Sequence, residues 1–235
     1  MQEEQQIFDC WHKNASAWTK SIDDGAIESR ILVTNRAILD SIIEQCPTSV
    51  LDLGCGEGWL LRALKSELPG VKLTGVDAIP ALIEFAKEKN PEIDYQVYSY
   101  QSIIEEHFQP KGQFDIVVIN FALFGNELVG DLLQSVHRLI TTDGCLIIQT
   151  LHPHSVNGEE PYVDGWRPGS WKGFSDMFID PAPWYFRTLE SWFMLFYNNG
   201  FSLKALKEPR HPQKQQPLSI IFLATPQQRN NYSVR

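Results

Sequence analysis

Between residues 50 and 150 short, nearly continuous apolar runs alternate with amphipathic segments. An apolar run without alternation suits a strand buried on both faces, and an amphipathic segment between two such runs suits the helix that covers them; together they select an α/β architecture. VLDL (50–53) reads as the first strand and 59–67 as the helix after it, then VKLTGVDA (71–78) as a second strand with its helix over 80–89. Pro80 falls in that helix's first turn, where a missing N–H costs nothing. IDYQVYS (93–99) alternates and is rich in β-formers, and FDIVVINF (114–121) is apolar almost throughout. VGDLLQSVHRLI (129–140) has helical spacing and ends at TTDG, and CLIIQT (145–150) is a fifth strand. Five such strands make an open, doubly wound sheet.

Beyond residue 150 the periodicity stops. Residues 151–187 are rich in Pro, Gly and aromatic side chains, and so long a connection inside a compact domain reads as a lid or binding loop. TLESWFMLFYNNG (188–200) is a helix with a threonine cap and a glycine stop. FSLKALKEP (201–209) and LSIIFLATP (218–226) then read as antiparallel strands joined by the polar stretch 210–216. The amphipathic segment up to residue 45 precedes the sheet and is expected to fold over one end of it. A length of 235 residues suits one domain.

A formal net charge of −9, with no basic run, argues against a protein that tracks a phosphate backbone, so no nucleic-acid partner is expected. The four cysteines, Cys10, Cys46, Cys55 and Cys145, form no CxxC pair, so neither zinc nor any other metal is signalled and a reducing, cytoplasmic compartment is the simplest expectation. The opening MQEEQQIFDC lacks the basic and apolar regions of a secretory signal, and no apolar run approaches the roughly 20 residues of a membrane span.

The sharpest motif is VLDLGCGEGWL (50–60). A dinucleotide loop needs Gly-x-Gly-x-x-Gly, and here the third position is Trp59, too large for close helix–strand packing. A phosphate loop fails as well, because no Gly-Lys-Ser or Gly-Lys-Thr follows. What remains is strand, Asp-x-Gly-x-Gly-x-Gly, helix, with Asp77 at the end of the next strand. In this arrangement the chain resembles the class I S-adenosylmethionine-dependent methyltransferases over about residues 50–150, and its closing two strands are similar to that family's final hairpin.

The resemblance implies a doubly wound, mostly parallel seven-stranded α/β sheet, Rossmann-like, with an antiparallel C-terminal hairpin. It divides one domain, 1–235, into an N-terminal helical cover (1–45), a cofactor-binding core (50–150), a lid insert (151–187) and a closing helix and hairpin (188–225). It also implies S-adenosylmethionine as cofactor and S-adenosylhomocysteine as product. Gly54 and Gly56, flanking Cys55, would let the backbone approach the methionine part of that cofactor, and Asp52 would hold the loop. Asp77, followed by Ala78, would take both ribose hydroxyls as donors. Where the family has an acidic residue for the adenine, this chain has Tyr100 and then Gln101. Asn120 and Phe121 would face the sulfonium and its methyl group. In WHKNASAWTKSI, similar to the family's entry helix, Trp18 would cover the cofactor, and Arg30 would reach its carboxylate.

Methyl transfer from a sulfonium needs a protein base only when the acceptor enters protonated. His152 and His154 follow the fifth strand directly and, with Tyr185, are the candidate catalytic groups. Trp166, Trp171 and Arg187 are candidate acceptor contacts, and so aromatic a lid favours a planar or apolar small molecule. A catalytically silent, cofactor-binding regulatory or interaction protein is the rival reading, kept open by Tyr100. A protein or nucleic-acid methyltransferase and an NAD oxidoreductase rank behind it.

Overall fold

The computed structural model describes residues 2–227. Its first five strands, β1 (Ser49–Leu53), β2 (Lys72–Asp77), β3 (Asp94–Val97), β4 (Phe114–Asn120) and β5 (Ile140–Thr150), are parallel. Two short strands, β6 (Gly165–Arg167) and β7 (Trp184–Phe186), form a separate antiparallel ribbon within the insert. The closing strands β8 (Phe201–Lys207) and β9 (Ile220–Pro226) join the main sheet antiparallel, giving seven strands in the order β3-β2-β1-β4-β5-β9-β8. This is the expected doubly wound sheet with its antiparallel hairpin.

The inner strands β1, β4 and β5 are rich in apolar residues because successive residues enter different cores. Leu51, Leu53, Val117 and Ile119 face one layer with Leu132, Val136 and Phe222. Val50, Ile116, Val118 and Ile147 face the other, with Leu60, Leu61 and Leu64. Helices α3 (Trp59–Glu67), α4 (Pro80–Lys89), α6 (Val129–Leu139) and α8 (Leu189–Asn198) fall where the spacing predicts them. Thr188 caps α8 as expected, its hydroxyl accepting from the Ser191 N–H at 3.1 Å. Among the described residues no helix is long and apolar enough to cross a membrane.

The sequence reading is corrected in four places. Strand β5 begins at Ile140, directly after α6, so TTDG lies inside the strand rather than before it; pairing with β4 jumps from Phe114↔Ile140 to Ile116↔Cys145. A short helix, α5 (Tyr100–Ile104), follows β3, capped by the Ser99 hydroxyl, which accepts from the Ser102 N–H. The insert is ordered by the one-turn helix α7 (Pro153–Val156) and by the β6–β7 ribbon.

The N-terminal cover is the fourth correction, because it divides in two. Helix α1 (Gln2–Asp23) lies over the sheet's end, packing Ala15, Trp11 and Trp18 on Ile79 and Leu82. Helix α2 (Asn35–Ile43) instead lays Ile38, Leu39 and Ile42 on the sheet's face. Between them a π-helical turn, Arg30–Thr34, buries Arg30 and leaves Ile31 and Leu32 exposed.

Candidate functional site

A cavity of about 680 Å³ opens at the carboxyl ends of β1, β2 and β4, beneath α1. That is where an open α/β sheet receives a ligand, and the volume is that of a small-molecule site. Its floor is the loop after β1. The Gly54 and Cys55 N–H groups donate to the Val76 carbonyl at 2.8 and 3.0 Å, folding the loop back over β2. The Asp77 carboxylate joins the two loops, accepting from the Gly56 N–H and the Ile79 N–H, both at 2.9 Å. The carboxylate keeps lone-pair capacity for a further donor.

The three glycines serve different ends. Gly54 has φ +79°, and a Cβ there would stand 2.6 Å from the Ala122 Cβ and 2.8 Å from the Tyr100 hydroxyl oxygen. Gly56, at φ +58°, faces the Trp18 indole N–H. Gly58, at φ +81°, is the left-handed entry to α3, where a Cβ would strike the Tyr95 hydroxyl; it serves packing.

Polar groups around this floor are buried without partners. Asp52 Oδ1, Asn120 Oδ1 and Arg30 Nη2 have no hydrogen bond, and Asp52 is 2% exposed. Burial pushes the Asp52 carboxyl well above its ordinary range, and the charges of Asp77 and Glu57 add to this. Burial also raises the Asp77 carboxyl, against the pull of the backbone N–H groups it accepts. The Arg30 guanidinium sits between the rings of Trp59 and Trp18, 4.6 and 5.5 Å from their centroids. Burial lowers its pKa to about 10, so it remains a cation at neutral pH, with Glu57 opposing the shift.

Tyr100 occupies the predicted adenine position yet turns its hydroxyl under the glycine loop, donating to the Ala122 carbonyl at 3.1 Å. Only its ring is left for stacking. Gln101 and Ala78 line the rim, and the Gln101 amide is engaged by Glu105 at 2.7 Å. Phe121, directly after β4, has φ +51°, donates its N–H to the Gln149 carbonyl, and lines the cavity beside Asn120. Trp18, Arg30, Asp52, Gly54, Cys55, Gly56 and Asp77 all line the same space.

The predicted catalytic and acceptor residues do not. His152 is buried facing away from the cavity: its Nε2 meets Glu208 Oε1 at 2.8 Å, and its Nδ1 accepts from the His154 N–H to cap α7. His154 is exposed on that helix. Trp166 packs edge-on against Tyr185 in the ribbon. Trp171 donates to the Ile179 carbonyl and packs with Phe174 and Phe178, touching the site only through Trp11. Arg187 is buried behind the wall, against Tyr185 and Trp192. In their place the outer end is lined by Glu4, Phe8, Trp11 and Phe124, which the sequence reading missed, and Trp59 joins the floor. The signal for Trp11 was its seven-residue spacing from Trp18, two turns on one helical face.

These residues fit S-adenosylmethionine. Gly54 and Gly56 leave a cradle that side chains would fill, the unpartnered Arg30 suits a carboxylate, and the unpartnered oxygens of Asp52 and Asn120 suit cationic or N–H groups.

A family model described as "Methyltransferase domain" matches residues 50–144. A malonyl-[acyl-carrier protein] O-methyltransferase of Legionella pneumophila is 25% identical over 153 residues, 59% of this chain and 50% of that protein. A demethylmenaquinone methyltransferase of Thermus thermophilus is 27% identical over 118 residues, 50% of this chain and 54% of its own. The chain thus spans about half the length of these curated relatives. The crystal structure of Burkholderia thailandensis 1,6-didemethyltoxoflavin-N1-methyltransferase, with bound 1,6-didemethyltoxoflavin and S-adenosylhomocysteine, superimposes with a TM-score of 0.63 at 17% identity, covering 92% of this chain and 88% of that one. Residues 50–144 thus match a methyltransferase domain, and the architecture around them is that of solved S-adenosylmethionine-dependent methyltransferases.

Proposed function

We propose that this chain transfers a methyl group from S-adenosylmethionine to a small acceptor that is planar or apolar. The observation that carries the reading is the division of one cavity into a polar floor, with unpartnered Asp52, Asn120 and Arg30, and an aromatic outer end of Phe8, Trp11 and Phe124. The cofactor supplies an activated methyl on a sulfonium. Arg30 would bind its carboxylate, Asp52 its ammonium, and Asp77 its ribose hydroxyls through the remaining lone pairs. The Tyr100 ring and Gln101 would flank the adenine, and Asn120 and Phe121 would face the methyl.

The rest is positioning and exclusion of water, which α1 supplies by lying across the opening. With His152, His154 and Tyr185 outside the cavity, the reading favours an acceptor atom that presents a lone pair without help from imidazole. The cytoplasm suits the four free thiols.

Isothermal titration with S-adenosylhomocysteine tests the cofactor site. Tight binding that Asp77→Ala weakens at least tenfold is expected. No binding by the parent chain would refute the reading.

A further inference from the structure

Arg187 is 6% exposed and takes no part in the site as drawn so far. Its guanidinium lies between the rings of Tyr185 and Trp192, 4.8 and 5.4 Å from their centroids. Nη2 donates to Asn126 Oδ1 at 3.0 Å, and Nη1 has no partner. A buried cation with so little compensation is a poor way to fill space, since apolar groups of similar volume often serve stability as well or better.

What it holds is the turn after β4. Two residues upstream, the Tyr185 N–H donates to the Phe124 carbonyl at 2.7 Å, so the insert fastens residues 124 and 126 together. From the opposite side Glu4 of α1 accepts from the Asn126 and Glu127 N–H groups at 2.7 and 2.9 Å. That carboxylate rests on Gly125, where any Cβ would strike it. The turn begins at Phe121 in a left-handed conformation that non-glycine residues adopt only under constraint. One residue, Asn126, is therefore gripped by the insert through its side chain and by the covering helix through its backbone.

We propose that Arg187 is a positioning residue for the acceptor side of the cavity, setting the wall through Asn126 and, because Glu4 grips the same residue, fixing α1 closed over it. This rests on the reading that the acceptor enters at the outer end. It gives Arg187 a part in the reaction without contact with the acceptor, and it makes wall and cover close as one unit.

Amide hydrogen exchange on the full chain tests this, with S-adenosylhomocysteine titration alongside. Arg187→Met and Asn126→Ala should each speed exchange at 124–127 and in the first turns of α1 about tenfold or more, with cofactor affinity changed less than about threefold. Arg187→Lys, which keeps a donor and the charge, should restore part of the protection. Unchanged exchange at 124–127 in Asn126→Ala, or an equal rise across β1 and β4, would overturn the proposal. Should Arg187→Met not fold, Asn126→Ala decides, since it leaves the guanidinium in place. Failure of the parent to bind the cofactor product would sink the functional reading, while the exchange result would still judge the clamp.

Discussion

Replacing Gly54 by alanine should damage the protein at the cofactor floor. Two costs arise. The residue stands at φ +79°, a left-handed conformation that costs an L-residue about 1–2 kcal/mol. The new Cβ would also lie 2.6 Å from the Ala122 Cβ and 2.8 Å from the Tyr100 hydroxyl oxygen, and neither is a free chain end: the first is on the backbone, and the second is tied to the Ala122 carbonyl. Overpacking of this kind adds about 1–3 kcal/mol, for a total of roughly 2–5 kcal/mol. Gly70→Ala is the control, because Gly70 has φ +96° with nothing within 4 Å of a built Cβ, so only the conformational cost applies. Urea unfolding of both variants gives the stability difference, and titration with S-adenosylhomocysteine gives the functional one. Gly54→Ala should lose at least tenfold in affinity as Tyr100 and Ala122 are displaced, and Gly70→Ala should bind like the parent. Equal stability losses, or undiminished binding by Gly54→Ala, would refute the close-approach argument.

Three further outcomes follow from the same geometry. Burial, then Asp77 and Glu57, raise the Asp52 carboxyl above its ordinary 3.8, so the native state holds the extra proton between the two values; that stabilisation is complete below 3.8 and is lost as pH rises through the folded value. Asp52→Asn, neutral throughout, should therefore gain progressively on the parent as pH rises above 3.8 in urea unfolding, and a pH-independent difference would contradict the assignment. His152→Ala strips the α7 cap and the Glu208 partner, costing about 1–3 kcal/mol, while cofactor-product affinity stays within about twofold; lost binding would return His152 to the site. Arg30→Met should weaken S-adenosylhomocysteine about tenfold or more yet leave 5′-methylthioadenosine, which lacks the carboxylate, unaffected; parallel losses would remove Arg30 from its role.

The strands were readable because burial on both faces writes itself as nearly unbroken apolar sequence, and the glycine loop stood out because its spacing is neither that of a dinucleotide loop nor that of a phosphate loop. The acceptor end was not, for a topological reason. His152 and His154 follow β5, and chain order places them beside the site. In the sheet β4 lies between β1 and β5, so β5 stands roughly 10 Å from the glycine loop's strand, and His152 turns to the β8–β9 hairpin instead. Trp171 and Trp166 were chemically suitable, but aromatic side chains in a long insert first satisfy the insert itself, as the cluster of Trp171, Phe174 and Phe178 does. Tyr100 depended on α5, a helix of five residues whose only sequence sign is Ser99 three places before Ser102.

The π-helical turn at Arg30–Thr34 has a consequence for how this site can be lost. Adding one residue to a helix rotates everything beyond it by about 100°. The widened turn lets Arg30 face Trp18 and Trp59 while Ile38 and Ile42 still meet the sheet. That property is counted rather than chemical. Ile31 and Leu32, both exposed, tolerate exchange for polar residues, but removing either one would swing the guanidinium out of the cavity or the apolar stripe off the sheet. Drift by substitution leaves the arginine aimed; a single-codon deletion does not.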